Sequence, residues 1–154
     1  MGLRNFFLQD EQGNVLVKAN SVWTLIDLEN GRPMVVPEDM KERYALGERL
    51  EMDYAPRKIA VPEAGEKKDK VVVERYHLDT NYHVNNQQFL TIALSFLPGE
   101  SKVYSLRAEY RKQAFLGDVL VPEVLMKDDI AWVTLANEEG QPYMIAEVKL
   151  QSKQ

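Results

Sequence analysis

The chain has 154 residues, of which 45% are hydrophobic and 28% are charged, and its formal net charge at pH 7 is −5. This composition indicates one globular domain, or one domain with part of another, and the negative charge argues against general nucleic-acid binding. Because the sequence contains no cysteine, disulfides, thiolate catalysis and cysteine-based zinc sites are excluded, and His77 and His83 are its only imidazoles.

No stretch has the composition of a signal peptide or of a membrane span. No motif has the spacing of metal ligands or of a glycine-rich phosphate loop. We therefore expect a cytoplasmic protein that contacts neither membranes nor nucleic acid and that needs no metal and no cofactor.

The amino-terminal part predicts a β-hairpin. Two extended segments, residues 3–9 and 15–28, flank a run of turn residues at 10–14. Both faces of the second segment carry apolar side chains, which is typical of a strand that is partly covered on each side. A lone hairpin is marginal in water, so we expect it to pair with the later sheet, with another chain or with a missing part of the protein.

Residues 29–69 have a different character, with four prolines and many charged side chains. Proline suits the first position of a helix and acidic residues suit its first turn, so a short helix is predicted from Pro37 to about Leu46. The rest of this region reads as an extended connector, which predicts a domain junction.

The remaining residues predict an α+β domain, with one long helix across an antiparallel sheet. A strand at 70–76 precedes a helix at 84–97, and four strands in a meander follow at 101–112, 118–126, 131–136 and 143–150. Pro122 lies inside one of these strand patterns, so we expect that strand to be at an edge or to be bulged there.

The predicted helix is apolar nearly all round, and only Gln87, Thr91 and Ser95 form a polar line along it, so it is expected to be a core helix. The backbone N–H groups and the dipole at its start can stabilise an oxyanion. His83, just before the helix, is a candidate acid or base, because imidazole exchanges protons near neutral pH. Alternatively, Asn85 or Asn86 only caps the helix and His83 is a loop histidine. His77 follows a strand and is expected to be exposed.

The segment Asp79-Thr80-Asn81-Tyr82-His83-Val84-Asn85-Asn86 resembles the Asp-x-Asn-x-His-Val-Asn-Asn signature of acyl-acyl carrier protein thioesterases, which are built from hotdog folds. Residues 105–112 and 117–120 are similar to the Glu-Tyr-Arg strand of this family and to the residues after it. Residues 20–27 resemble the end of its first hotdog domain. The resemblance therefore covers nearly the whole chain.

The resemblance implies a hotdog fold, in which an antiparallel sheet wraps around one long central helix. The family has two tandem hotdogs, so residues 1–28 are expected to be a remnant hairpin of the first. Residues 29–69 are then a linker with a possible short helix, and residues 70–154 a complete hotdog domain. Hotdog domains commonly pair, and with an unpaired hairpin we expect a homo-oligomer.

The resemblance also implies the site residues. Asn81 and His83 are expected at the catalytic centre, with Asp79 positioning or activating. Gln113 stands where the family often has a glutamate, and glutamine cannot act as a general base. A required carboxylate is therefore either Asp79 or replaced by a water that Gln113 positions.

The expected substrate-binding residues are Val84, Asn85, Asn86, Arg107 and Arg111. The two arginines have same-face spacing on a strand, and arginine binds phosphate well. With Lys112, they are candidates to dock the acidic carrier protein or its phosphopantetheine arm. Alternatively, they lie on a solvated sheet face and are balanced by Glu109.

The function implied is hydrolysis of fatty acyl-acyl carrier protein thioesters to free fatty acid and carrier protein, in fatty acid biosynthesis. Two alternatives stay open. The chain is instead a non-catalytic acyl-binding or assembly module, or it hydrolyses acyl-CoA thioesters.

Overall fold

The computed structural model describes residues 2–99 and 101–151. The chain falls into two compact units, residues 1–55 and residues 56–154. None of the helices in the described residues is long and apolar enough to cross a membrane.

The first unit contains the predicted hairpin, in which β1 (Gly2–Gln9) pairs antiparallel with β2 (Val15–Trp23). Its turn is held by Asp10, whose Oδ1 accepts hydrogen bonds from the N–H groups of Gln12 and Asn14 at 3.0 and 2.8 Å. A short carboxylate that bonds the backbone two residues ahead favours a turn over a continued strand.

Beyond β2 the first unit is mostly irregular. The second strand ends at Trp23 rather than at the predicted residue 28, because the Asp27 carboxylate accepts the Glu29 N–H at 2.8 Å and begins another turn. The helix α1 (Glu38–Glu42) follows Pro37 as predicted, but it is shorter than expected.

Large apolar side chains of the hairpin are exposed on both faces. In β2, Leu16 and Val17 are successive strand residues and so point to opposite faces, and they retain 61% and 53% of their surface. The cover on each side that the sequence predicts is therefore not found within the described residues.

The second unit is built on the helix α2 (Asn86–Ser95). It starts two residues later than predicted, because Asn85 is its N-cap and its side chain accepts the Gln87 N–H at 2.8 Å. The predicted polar line of this helix is exposed, whereas Phe89, Ile92 and Ala93 are buried in the core. The prediction of a core helix with one exposed polar line is confirmed.

A six-stranded antiparallel sheet packs against α2, as the α+β prediction requires. Its order is β3-β6-β7-β8-β5, and β4 also pairs with β6. The strands are β3 (Glu66–Lys67), β4 (Val71–Val72), β5 (Val103–Tyr110), β6 (Val119–Lys127), β7 (Ile130–Ala136) and β8 (Pro142–Leu150).

The predicted meander of four strands is wrong for its first member. Only β6, β7 and β8 follow one another across the sheet, and β5 pairs with β8 instead of with β6. Residues 111–118 must therefore cross from one side of the sheet to the other. We call them the crossover segment. On the way the carbonyl of Ala114 accepts the Val84 N–H at 2.8 Å, just before α2 begins.

The segment 56–69, which the sequence predicts to be part of a linker, packs onto the second unit. Ile59 is only 4% exposed and contacts Trp132 and Ile145 on the face of the sheet opposite α2. Its N–H donates to the Glu109 carboxylate at 2.8 Å. Buried apolar residues and hydrogen bonds to the sheet thus hold this segment in place. Its charged sequence predicts an extended connector instead. The other domain boundaries stay a prediction.

Pro122 lies at an interruption in the outer pairing of β6. On one side of it Lys67 pairs with Glu123, and on the other Val71 pairs with Leu120. Proline has no N–H for a ladder, and its carbonyl accepts the Lys68 N–H at 2.9 Å. The expectation of an edge or an irregularity at this proline matches its position between two short strands.

Gly65 provides a test of how the segment 56–69 is held. A Cβ at Gly65 would lie 2.6 Å from the backbone carbon and oxygen of Val124, whereas a Cβ at Gly99 would meet nothing within 4 Å. Because backbone cannot move aside cheaply, we expect Gly65→Ala to destabilise the protein by about 1–3 kcal/mol. Urea denaturation measures this change, with Gly99→Ala as the matched control. Equal stability of the two variants would contradict the close packing.

Candidate functional site

The loop before α2 is shaped by Asp79. Its Oδ1 accepts the Asn81 N–H at 2.8 Å and lies 3.4 Å from the His83 N, while its own N–H donates to the His83 carbonyl at 2.8 Å. Tyr82 has a positive φ of 61°, which a non-glycine residue adopts only where its surroundings require it. The Asp79 carboxylate therefore holds the loop that presents His83.

Within the described residues, the start of α2 leaves one backbone donor without an acceptor. The Asn85 N–H donates to the His77 carbonyl at 2.9 Å, and the N–H groups of Gln88 and Phe89 both donate to the Asn85 carbonyl. The Asn85 side-chain Oδ1 accepts the Gln87 N–H at 2.8 Å. In the described part of the chain the Asn86 N–H has no acceptor, so it is the donor that the helix start keeps available.

The crossover segment forms the wall beside His83. The Phe115 ring meets the His83 ring edge to face, with centroids 5.3 Å apart and an interplanar angle of 82°. Asp118 fixes this turn, because its Oδ2 accepts the Phe115 N–H at 2.9 Å and the Tyr143 hydroxyl at 3.2 Å. The orientation of the imidazole thus depends on a segment far from it in sequence.

These elements enclose a cleft of about 240 Å³. Six of the residues predicted from sequence line it, namely Asp79, His83, Val84, Asn86, Arg111 and Gln113. The other three, Asn81, Asn85 and Arg107, are not part of the lining. Sequence reasoning assigned no site role to two lining residues, because the apolar run of the helix explains Phe89 as core and the alternation of the strand explains Tyr110 as core.

Arg107 is engaged on the sheet rather than in the cleft. Its Nη1 lies 2.7 Å from Glu147 Oε1, and its Nη2 donates to the carbonyl of Pro56 at 2.6 Å. The other oxygen of Glu147 accepts the Trp132 indole N–H at 3.1 Å. This arginine therefore holds the beginning of the segment 56–69 against the sheet.

Arg111 is paired with Glu109, as the alternative of a balanced sheet face predicts. Its Nε and Nη2 lie 3.0 and 3.1 Å from the two carboxylate oxygens. Lys112 lies over the ring of Tyr143, with its Nζ 5.4 Å from the ring centroid. The cleft thus has a cationic side, formed by one paired arginine and one lysine.

His77 is buried, with 5% of its surface exposed, so the expectation that it is exposed is wrong. Its Nδ1 accepts the Glu74 N–H at 2.9 Å, and its carbonyl accepts the N–H of the N-cap residue Asn85. The Tyr76 ring also covers it at 4.1 Å. His77 therefore supports the start of α2.

In residues 2–99 and 101–151 no group of three or more His, Asp or Glu side chains could hold a metal ion.

The model of the acyl-ACP thioesterase N-terminal domain matches residues 1–44. Two solved structures are similar over nearly the whole chain. An acyl-ACP thioesterase from Bacteroides thetaiotaomicron superposes with a TM-score of 0.81 at 19% identity, covering 97% of this chain and 62% of that one. The 12:0-ACP thioesterase from Umbellularia californica superposes with a TM-score of 0.76 at 18% identity, covering 98% of this chain and 61% of that one.

The chain has the hotdog fold of the acyl-ACP thioesterases. The predicted resemblance and the α+β hotdog prediction are thereby confirmed. This hotdog chain spans about three fifths of the length of each of the two solved structures. No curated protein sequence matches it significantly.

The ion pair beside the cleft predicts a pH dependence of stability. Burial alone would raise the pKa of Glu109, but hydrogen bonds from Arg111 and Ile59 and the charges of Arg111 and Lys58 lower it below the usual range. A carboxyl with a lowered folded-state pKa stabilises the fold above its unfolded-state pKa of about 4.3, and this contribution is lost as pH falls through the folded-state value.

We therefore expect the difference in unfolding free energy between the wild type and Glu109→Gln to shrink as the pH is lowered from about 6 to about 3. Urea denaturation at a series of pH values measures it. Glu63→Gln, at an exposed carboxylate of the same unit, is the control and should follow the wild type throughout. A constant offset for Glu109→Gln would show that the ion pair does not titrate with the fold.

Proposed function

We propose that this protein hydrolyses fatty acyl-acyl carrier protein thioesters to free fatty acid and carrier protein, acting in the cytoplasm in fatty acid biosynthesis. The observation that carries the proposal is the shared cleft, which is lined both by His83 and by Asn86, the residue whose N–H has no acceptor in the described part of the chain. A general acid or base and an electrophilic donor at one site are what acyl transfer to water requires.

In the mechanism proposed, the Asn86 N–H and the positive end of the α2 dipole polarise the thioester carbonyl. His83 takes a proton from the attacking water as the new C–O bond forms, which gives a tetrahedral oxyanion. The C–S bond then breaks, and the same imidazole returns the proton to the departing sulfur. The products are a carboxylic acid and a free thiol, so atoms and charge balance.

The neighbouring polar residues have supporting roles in this proposal. Asp79 positions His83 through the loop, because its carboxylate bonds backbone N–H groups. Asn81 follows it on the exposed side of the loop and orients the imidazole or the substrate carbonyl. Gln113 lines the cleft and offers an amide that holds the attacking water. Val84 and the cap of Asn85 set the position of Asn86.

Substitution of His83, which lines the cleft, and of Asn81, which lies outside the lining, tests the mechanism. General acid–base catalysis contributes about 100- to 10,000-fold, so we expect His83→Ala to lower kcat by at least about 100-fold. For Asn81→Ala we expect about tenfold, because the mechanism gives its side chain one hydrogen bond to the imidazole or to the substrate, worth about 1.4 kcal/mol. Hydrolysis of a carrier-bound acyl series, followed by release of thiol, measures both. Gln12→Ala, in the hairpin turn of the first unit, is the control. Full activity in both site variants would rule the mechanism out.

The proposed carrier partner is acidic, and the cationic side of the cleft is its docking surface. Arg111 and Lys112 lie at the cleft, whereas Arg107 acts mainly through the segment that it holds. Exposed charges at the rim of an interface steer association and are sensitive to salt. The exposed apolar faces of the hairpin support a further proposal, that the chain is a homo-oligomer.

Charge reversal tests the docking surface. We expect Arg111→Glu combined with Lys112→Glu to raise KM for an acyl carrier protein substrate by about tenfold at low salt, and to change KM much less when salt is high. Steady-state kinetics at two ionic strengths measure the effect. Lys127→Glu, at the exposed end of β6, makes half the charge change elsewhere and should leave KM unchanged. An unaltered KM in the double variant would remove this surface from the proposal.

Binding of an acyl group without hydrolysis is the second candidate function. It is favoured by Gln113, which stands where the related enzymes often have a glutamate, and by the engagement of the Asp79 carboxylate with the loop backbone. Retention of a carrier-bound or CoA-bound acyl thioester without turnover would favour it. Turnover of acyl-CoA alone would favour an acyl-CoA thioesterase.

A further inference from the structure

The last residue of β5, Tyr110, contacts the start of α2 in two ways. Its hydroxyl donates to the Asn86 carbonyl at 3.2 Å, and its ring lies 6.3 Å from that of Phe89 in the same helix. Tyr110 is 40% exposed and lines the cleft. One side chain therefore joins the end of a sheet strand, the first turn of the helix and the cavity.

The strand that carries Tyr110, β5, is firmly anchored to β8. Its residues from Leu106 to Tyr110 pair with β8 without interruption, and directly after them the Arg111 N–H donates to the Tyr143 carbonyl at 2.8 Å. Tyr143 is itself buried and held through its hydroxyl to Asp118. The Tyr110 hydroxyl is thus a donor that projects from the rigid part of the sheet.

The first turn of α2 has few other restraints of this kind. Its N–H groups bond back to Asn85, which belongs to the same stretch of chain, and the Asn86 N–H has no acceptor in the described residues. Of the described hydrogen bonds, the one from Tyr110 is the bond that ties a peptide of this turn to the sheet. A donor that must face a reacting carbonyl needs such support from outside its own helix.

We propose that Tyr110 is a positioning residue for hydrolysis, because its hydroxyl holds the first turn of α2 so that the Asn86 N–H faces the cleft beside His83. The inference has two parts, that Tyr110 holds the first turn of α2 and that this position matters for hydrolysis. The second, catalytic half rests on the proposed function. Burial of the hydroxyl raises the pKa of Tyr110. The group thus stays a donor at and above the pH at which an imidazole acts as a base.

The experiment compares Tyr110→Phe with Tyr104→Phe in the full chain. Phenylalanine keeps the ring of Tyr110 against Phe89 and removes only the hydroxyl, so we expect the variant to fold. Tyr104 lies on the same strand, is 70% exposed and is the matched control. Two readouts are combined, namely amide hydrogen exchange of α2 and steady-state hydrolysis of acyl-CoA and acyl carrier protein thioesters from octanoyl to palmitoyl.

We expect Tyr110→Phe to speed exchange of the Gln88 and Phe89 amides and to lower kcat by about three- to tenfold, which corresponds to one neutral hydrogen bond. KM should change by less than about twofold, because an oxyanion donor acts mainly in the transition state. Tyr104→Phe should alter neither readout. Faster exchange without loss of kcat would overturn the positioning role and leave a merely structural one.

Unchanged exchange and unchanged kcat in Tyr110→Phe would overturn the inference entirely. A fall in kcat with unchanged exchange would also overturn it, since Tyr110 would then act on the substrate directly. If the wild-type chain turns over none of the thioesters, the proposed hydrolysis fails and the catalytic half of the inference fails with it. The exchange comparison then decides by itself whether Tyr110 holds the turn.

Discussion

The hydrogen bond from the Val84 N–H to the Ala114 carbonyl is the contact on which the site depends. It joins the loop that carries His83 to the crossover segment, two stretches that are distant in sequence and belong to no common strand ladder. With this bond in place, Phe115 lies against the imidazole and Gln113 lines the same cleft as Asn86. The position of β5 at the far edge of the sheet makes the bond possible, because it forces the crossover past the helix start.

The parts of the fold that could be predicted from sequence are those that local chemistry decides. Turn residues predict the hairpin, and a capping Asn followed by an apolar run predicts α2 to within two residues at each end. The neighbour of β5 could not be predicted in this way. Its alternation predicts that one face packs against the core, and Leu106 and Ala108 do so, but the same pattern fits either edge of the sheet. The burial of Ile59 was hidden for a similar reason, since its charged surroundings resemble a linker.

For the candidate site, too, the features that local sequence decides could be predicted and the others could not. The motif around His83 predicts which residues gather near the helix start, and most of them line one cleft. Contacts between residues that are far apart in sequence could not be predicted. The spacing of Arg107 and Arg111 predicts a shared sheet face, yet each has an acidic partner on that sheet, and Arg107 also holds a distant stretch of backbone. Tyr110 was missed because a tyrosine at the end of an alternating strand needs no explanation beyond the core.

Pro122 in β6 affects how this protein can associate with other molecules in solution. An approaching strand of another molecule can extend a sheet only where an unbroken row of donors and acceptors is offered. At Pro122 that row lacks a donor, and the two short strands on either side already occupy the flanking positions. We therefore expect this edge of the sheet to resist the addition of strands that would lead to fibres. The edge formed by β5, in contrast, has an uninterrupted strand backbone.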